Sequence, residues 1–114
     1  MRLVVVQLKA FSAKWSKLGL DDDDLIALES LLLDNPEAGV LIPGTGGLRK
    51  IRFAPPSTHS GKRGATRVIS AYIAIGEIVY LFTIYSKNEQ SDMTPDEKVV
   101  FRRVLERLRA YFQQ

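Results

Sequence analysis

Apolar and polar positions divide the chain into seven predicted elements. Leu3-Val4-Val5-Val6 is short and β-branched and predicts a strand. Phe11, Trp15 and Leu18 recur at helical spacing and predict a brief helix over 11–18. After the break at Gly19-Leu20, Asp21 to Asp24 precede a second helical repeat of Leu25, Leu28 and Leu32, flanked by Ile26 and Leu31. Four adjacent carboxylates invite a metal-site or acidic-patch reading. Ahead of a helical repeat they read instead as an N-cap and a first turn that complements the helix dipole. Asn35-Pro36 ends that helix.

Residues 36–48 are interrupted by Pro36, Gly39, Pro43, Gly44, Gly46 and Gly47 and read as loop. The stretch Pro43-Gly44-Thr45-Gly46-Gly47 lacks the Gly-Lys-Ser/Thr ending of a phosphate-binding loop, and no helix is predicted behind it. A tight turn into a strand is the better reading. Residues 48–54 alternate: Arg49, Ile51 and Phe53 on one face, Leu48, Lys50, Arg52 and Ala54 on the other. Pro55-Pro56 stops this strand, and 57–64 is a polar loop with His59, Lys62 and Arg63. Residues 67–75 predict the next strand and Gly76-Glu77 a turn. Residues 78–85 are nearly all apolar, as in a central strand covered on both faces. Thr94-Pro95-Asp96-Glu97 is a capping box with proline at the first helical position. Behind it Phe101, Val104, Leu105, Leu108 and Phe112 form an apolar stripe. The order is β-α-α-β-β-β-α: an α+β domain over 1–114, with a small, mainly antiparallel sheet packed against helices.

Composition narrows the chemistry. At 114 residues and 46% hydrophobic, the chain has the size and make-up of one globular domain with its own core. It has no cysteine, which removes disulfides, thiolate metal sites and cysteine nucleophiles, and its one histidine, His59, removes a multi-histidine metal site. The apolar run at the N-terminus is too short for a signal peptide, and Ile78 to Phe82 falls far below the ~20 residues of a spanning helix. The expectation is a soluble cytoplasmic protein with no membrane partner. The net charge of +3 is small, so the placement of the cations matters more than their number.

Three basic groups fall on or beside strands: Arg49-Lys50-Arg52, Lys62-Arg63-Arg67, and Lys87. Neighbouring strands would bring them to one face, a phosphate-binding surface on which Tyr72 and Tyr85 stack bases. The alternative is a solvated basic face with the tyrosines in the core, and the clusters alone do not choose. Arg102, Arg103, Arg107 and Arg109 on the last helix read as a solvated face, paired locally with Glu106. Among hydrolytic options, a serine triad would rest on His59, which has no Gly-x-Ser-x-Gly elbow. A histidine-pair ribonuclease lacks its second histidine. Carboxylate–metal chemistry needs acids on the sheet, whereas these lie at helix starts. For RNA cleavage there remains metal-free chemistry by Lys and Arg, with the RNA 2′-OH attacking the adjacent phosphate.

The segments Ile42-Pro43-Gly44-Thr45-Gly46-Gly47-Leu48-Arg49-Lys50-Ile51-Arg52-Phe53-Ala54, Gly61-Lys62-Arg63-Gly64, Thr66-Arg67-Val68-Ile69, Ile84-Tyr85-Ser86-Lys87-Asn88-Glu89 and Asp92-Met93-Thr94-Pro95 carry a resemblance. Together with the element order, they make the chain similar to the RelE/HigB superfamily of type II toxin–antitoxin toxins, its HigB-like branch above all. The resemblance implies a ribosome-dependent mRNA endonuclease (an mRNA interferase) that needs neither metal nor other cofactor. Its implied partners are mRNA, the ribosome and a cognate antitoxin, of the helix-turn-helix HigA-like kind. By that resemblance Lys50 is the candidate general base and Arg52 its electrostatic support. Arg67 contacts the scissile phosphate, and Lys87 matches a basic position after the last strand. Arg49, Lys62, Arg63, Tyr85 and Asn88 are candidates for RNA contact. The RelE branch carries Arg where this chain has Asn88, and Tyr where it has Met93-Thr94. The leaving-group acid and the stacking residue therefore stay open, with Lys87 and Tyr85 as candidates. The competing expectations are a non-catalytic ParE-like inhibitor of DNA gyrase and a decayed toxin that retains only antitoxin binding. The cations at 50, 52, 67 and 87 favour cleavage, since a gyrase binder has no need of them.

Overall fold

The structure is a computed structural model and describes residues 2–57 and 65–113. Strand β1 (Val4–Gln7) leads into helices α1 (Lys9–Lys17) and α2 (Asp22–Asp34). Strands β2 (Val40–Leu41), β3 (Arg49–Phe53), β4 (Thr66–Ile73) and β5 (Ile78–Ser86) come next, and helix α3 (Pro95–Phe112) closes the domain. The sheet order is β1-β5-β4-β3-β2, with β1 parallel to β5 and every other pair antiparallel. The expected α+β order holds with one addition. Strand β2, two residues long, lies in the segment read as loop, where it pairs with β3. Two residues cannot display an alternation, so only the pairing reveals it.

The sheet is covered on both faces. Phe11 and Trp15 of α1 and Leu28 and Leu32 of α2 pack on Ile51, Phe53, Val68, Val79, Leu81 and Ile84. On the opposite face Leu105 of α3, with Phe101, Val104, Leu108 and Phe112, packs on Ile69, Ala71, Ile73, Tyr80 and Phe82. The side chains of β5 obey strict alternation only up to Phe82. There Ile69 pairs with Thr83 and Ser70 with Leu81, so Phe82 is one residue too many for its partner strand. This bulge reverses the parity of the residues beyond it: Ile84 faces α1 and α2, and Tyr85 faces the α3 side.

The polar signals at the helix starts do what their residue types dictate. Asp21 caps α2 and shares a capping box with Asp24, and Thr94 and Glu97 do the same for α3. Asp24 does more: wholly buried, its carboxylate also accepts from the Ser57 N–H at 2.9 Å and the Ser57 hydroxyl at 2.6 Å. This ties the chain beyond Pro55-Pro56 to α2. The glycine-rich stretch is the β2–β3 turn. Gly44, Gly46 and Gly47 have positive φ, and the buried Thr45 hydroxyl donates to the Ile42 carbonyl while accepting from the Leu48 N–H. Among the described residues no helix is long and apolar enough to cross a membrane.

Candidate nucleic-acid interface

Strand β3 sends Ile51 and Phe53 into the core beneath α1 and α2, so Lys50 and Arg52 emerge on the α3 side. Register then aligns three side chains across three strands. Arg52 pairs with Arg67, and Arg67 pairs with Tyr85. Lys50 lies one pleat along, opposite Ile69. Arg52 is exposed, while Lys50 and Arg67 are half-buried. The sheet thus brings Lys50, Arg52 and Arg67 onto one face at the strand ends nearest the start of α3.

Two carboxylates, Asp92 on the connector from β5 to α3 and Glu97 in the first turn of α3, lie near this cationic face. Asp92 Oδ1 lies 3.7 Å from Lys50 Nζ and also accepts from the Met93 N–H. Glu97 is held by the Thr94 N–H and the Gln90 amide. Tyr85, the strand partner of Arg67, is within electrostatic reach of both carboxylates. Its ring is 1% exposed, and its hydroxyl has no hydrogen-bond partner among the described residues. Burial pushes the phenol up to about 12; the charges of Asp92 and Glu97 push the same way, against Arg67. A ring so covered presents no face to a base, so Tyr85 in this structure is part of the floor rather than a stacking platform. Tyr72 packs on the α1–α2 side, away from the cations.

The other expected site residues are placed less uniformly. Lys87 and Asn88 are exposed in the turn just past β5. Reciprocal bonds between Ser86 and Glu89 shape that turn. The Ser86 N–H holds the Glu89 carboxyl below the ordinary carboxylate range, with help from Lys14, 4.0 Å away. Arg49 does not join the face. Strand alternation turns it toward Glu37 at 3.4 Å and the Gly39 carbonyl at 3.2 Å, opposite to Lys50 and Arg52. Among the described residues the expected convergence is therefore corrected for Arg49 alone: Lys50, Arg52 and Arg67 share the face, with Lys87 and Asn88 at the strand end. Lys62, Arg63 and His59 lie outside the described residues. Sequence reasoning missed Asp92 and Glu97 as neighbours of the face. The capping box accounts for Glu97 without reference to the sheet, and Asp92 stands in a segment of the resemblance with no role attached to it.

No family model matches the chain. Among solved structures it is similar to the E. coli toxin RelE, solved in the free state as a double arginine-to-alanine mutant. The TM-score is 0.54 and the identity 15%, covering 80% of this chain and 90% of that one. The likeness is one of architecture, and the chain has a RelE-like α+β fold.

Proposed function

We propose that this chain is the toxin of a toxin–antitoxin pair and that it cleaves mRNA on the ribosome. The observation that carries the proposal is the alignment of Lys50, Arg52 and Arg67 on one face of a RelE-like sheet. In this reading a phosphodiester lies across that face. Lys50 takes the proton of the 2′-OH, whose oxygen attacks phosphorus. The bond to the 5′-oxygen breaks, leaving a cyclic phosphate. Arg52 and Arg67 stabilise the charge that gathers on the phosphoryl oxygens. Lys87, at the strand end, supplies the proton to the leaving oxygen. In this reading the RNA backbone takes the place of Asp92 beside Lys50. Lys50, Arg52 and Lys87 are the positions that the HigB-like sequence resemblance assigns to the site, and a helix-turn-helix antitoxin in the cytoplasm is the partner it implies.

The test is controlled expression in a host without the antitoxin, with the 5′ ends of cellular mRNA mapped after induction. In-frame cuts confined to translated regions are expected. Lys50→Ala and Arg67→Ala should each lower cleavage at least ~100-fold, the order expected for losing a proton acceptor or a charge-stabilising donor. Growth arrest with intact mRNA would replace this reading with a non-catalytic inhibitor of the gyrase-binding kind. Absence of both arrest and cuts would leave an antitoxin-binding module.

A further inference from the structure

A crevice runs between α3 and the β2–β3 turn, on the same side of the sheet as Lys50. It encloses about 320 Å³ and is lined by Gly44, Lys98, Val99, Arg102, Arg103 and Glu106. Its walls are built rather than incidental. Arg102 donates to the Gly44 carbonyl and to Glu106, and Arg109 donates to the Gly46 carbonyl. Two arginines of α3 thereby clasp a turn whose glycines leave the backbone bare; a Cβ at Gly44 would meet nothing within 4 Å. Two of the arginines read from sequence as merely solvated, Arg102 and Arg103, therefore line one wall of a cationic groove. Lys98 and Arg103 make no ion pair among the described residues and bring charge that Glu106 does not balance.

Helix α3 links the groove to the candidate site. Helix α3 begins at the Thr94 cap, beside the Asp92 that engages Lys50. A rise of about 1.5 Å per residue puts Lys98 ~6 Å and Arg102 ~12 Å along the helix from that cap. We propose that this crevice is a second anion site, holding a backbone phosphate of the same RNA strand a few nucleotides from the bond that faces Lys50 and Arg67. The inference rests on the RNA-cleaving reading above. RNA fits the lining better than an acidic peptide does. The only large apolar side chain there is Val99, whereas peptide docking needs buried apolar anchors and a phosphate chain needs only cations along its path.

The test is fluorescence anisotropy with 2′-O-methylated RNA oligomers of about 4 and about 12 nucleotides, which bind without being cut. The proteins are wild type, Lys98→Gln/Arg103→Gln, Lys98→Arg/Arg103→Lys and Lys50→Gln. The glutamine pair should weaken the longer oligomer about tenfold near physiological salt. It should flatten the dependence of log K on log salt by about 1.4, two contacts' worth on a single strand. The short oligomer should be unaffected, and the charge-retaining pair should behave as wild type. Equal binding of the longer oligomer by wild type and the glutamine pair, with unchanged thermal melts, would overturn the proposal. If Lys50→Gln still weakened both lengths, the cleavage reading would survive that result. Binding of polyglutamate that depends on Lys98 and Arg103, with RNA binding unchanged, would make the crevice a peptide site and also overturn it. Failure of wild type to bind either RNA would overturn the RNA reading of both sites.

Discussion

Asp24 offers the sharpest check on how the domain is held together. Its carboxylate is fully buried and accepts three hydrogen bonds: from the Asp21 N–H at 3.0 Å, the Ser57 N–H at 2.9 Å and the Ser57 hydroxyl at 2.6 Å. Burial pushes this carboxyl upward, but the bonds from Ser57 and Asp21 outweigh it and hold it below the ordinary 3.8. Asp24→Ala leaves all three donors without their acceptor. Hydrogen bonds to a charged group contribute about 1.5–3 kcal/mol each, partly offset by the desolvation of the carboxylate. The expected net loss is about 3 kcal/mol, or a fall in Tm of about 12 °C for a domain of this size. Asp24→Asn is a finer probe. Whichever way its amide turns, the NH2 group faces a backbone N–H, that of Ser57 or that of Asp21. The expected loss is about 2 kcal/mol. The sign with pH is fixed. A carboxyl lowered in the fold contributes its stability in full above the ordinary 3.8, and that contribution fades as pH falls through the folded value. Urea unfolding from about pH 7 down to about pH 3 should show the gap between wild type and Asp24→Asn narrowing below about pH 4. A gap of constant size across that range, or a loss under about 1 kcal/mol for Asp24→Ala, would show that the charged tether does not stabilise the fold in this way.

Three further outcomes are expected. Tyr85→Phe removes a buried, unpartnered hydroxyl but keeps the ring, so near neutral pH it should match or exceed wild-type stability by up to about 1 kcal/mol. Because folding raises the phenol to about 12, wild type should lose stability as pH climbs from about 10 and the phenylalanine variant should not; parallel alkaline unfolding curves would contradict this. Gly39 has φ +98 and a Cβ there would sit 2.6 Å from the Lys50 carbonyl oxygen, whereas Gly19 has φ +72 and open space, so chemical denaturation should find Gly39→Ala costlier than Gly19→Ala, about 3 against about 1 kcal/mol. If Lys and Arg carry the cleavage step, EDTA should leave the rate unchanged in an assay whose ribosomes are shown intact; loss of cutting there would rule out metal-free cleavage.

Several parts of this architecture are legible in residue order. The N-cap at Asp21 and the capping box at Thr94 are local chemistry, complete within four residues, and they stand in the structure as the sequence predicts; the reciprocal bond to the Asp24 carboxylate that makes the first a full box goes beyond that reading. The alternation of Arg49 to Phe53 correctly separates Lys50 and Arg52 from Arg49, because a pleat has a fixed period. Grouping the cations by their nearness in sequence nonetheless gathers Arg49 with them, because proximity along the chain is mistaken for proximity on a face. The helix arginines show a related gap. Pairing between Arg102 and Glu106 is an i,i+4 property and can be read directly. The clasp of Arg102 and Arg109 on the β2–β3 turn depends on where that turn meets α3.

Residue order alone was enough for the identity and succession of the main elements, their caps, and the face each residue of β3 occupies. Those arise from backbone sterics and short-range hydrogen bonding. It was not enough for the orientation of Tyr85. Residues 78–85 are apolar at nearly every position, so no pattern marks which side is which. Strand pairing settles it through the extra residue at Phe82, which reverses the alternation and lays Tyr85 beside Arg67. The Lys50–Asp92 pair and the Asp24–Ser57 tether likewise come from the packing of α3 and α2 against the sheet. Local rules specify which side chains are available, but only the closed fold brings distant ones within bonding distance.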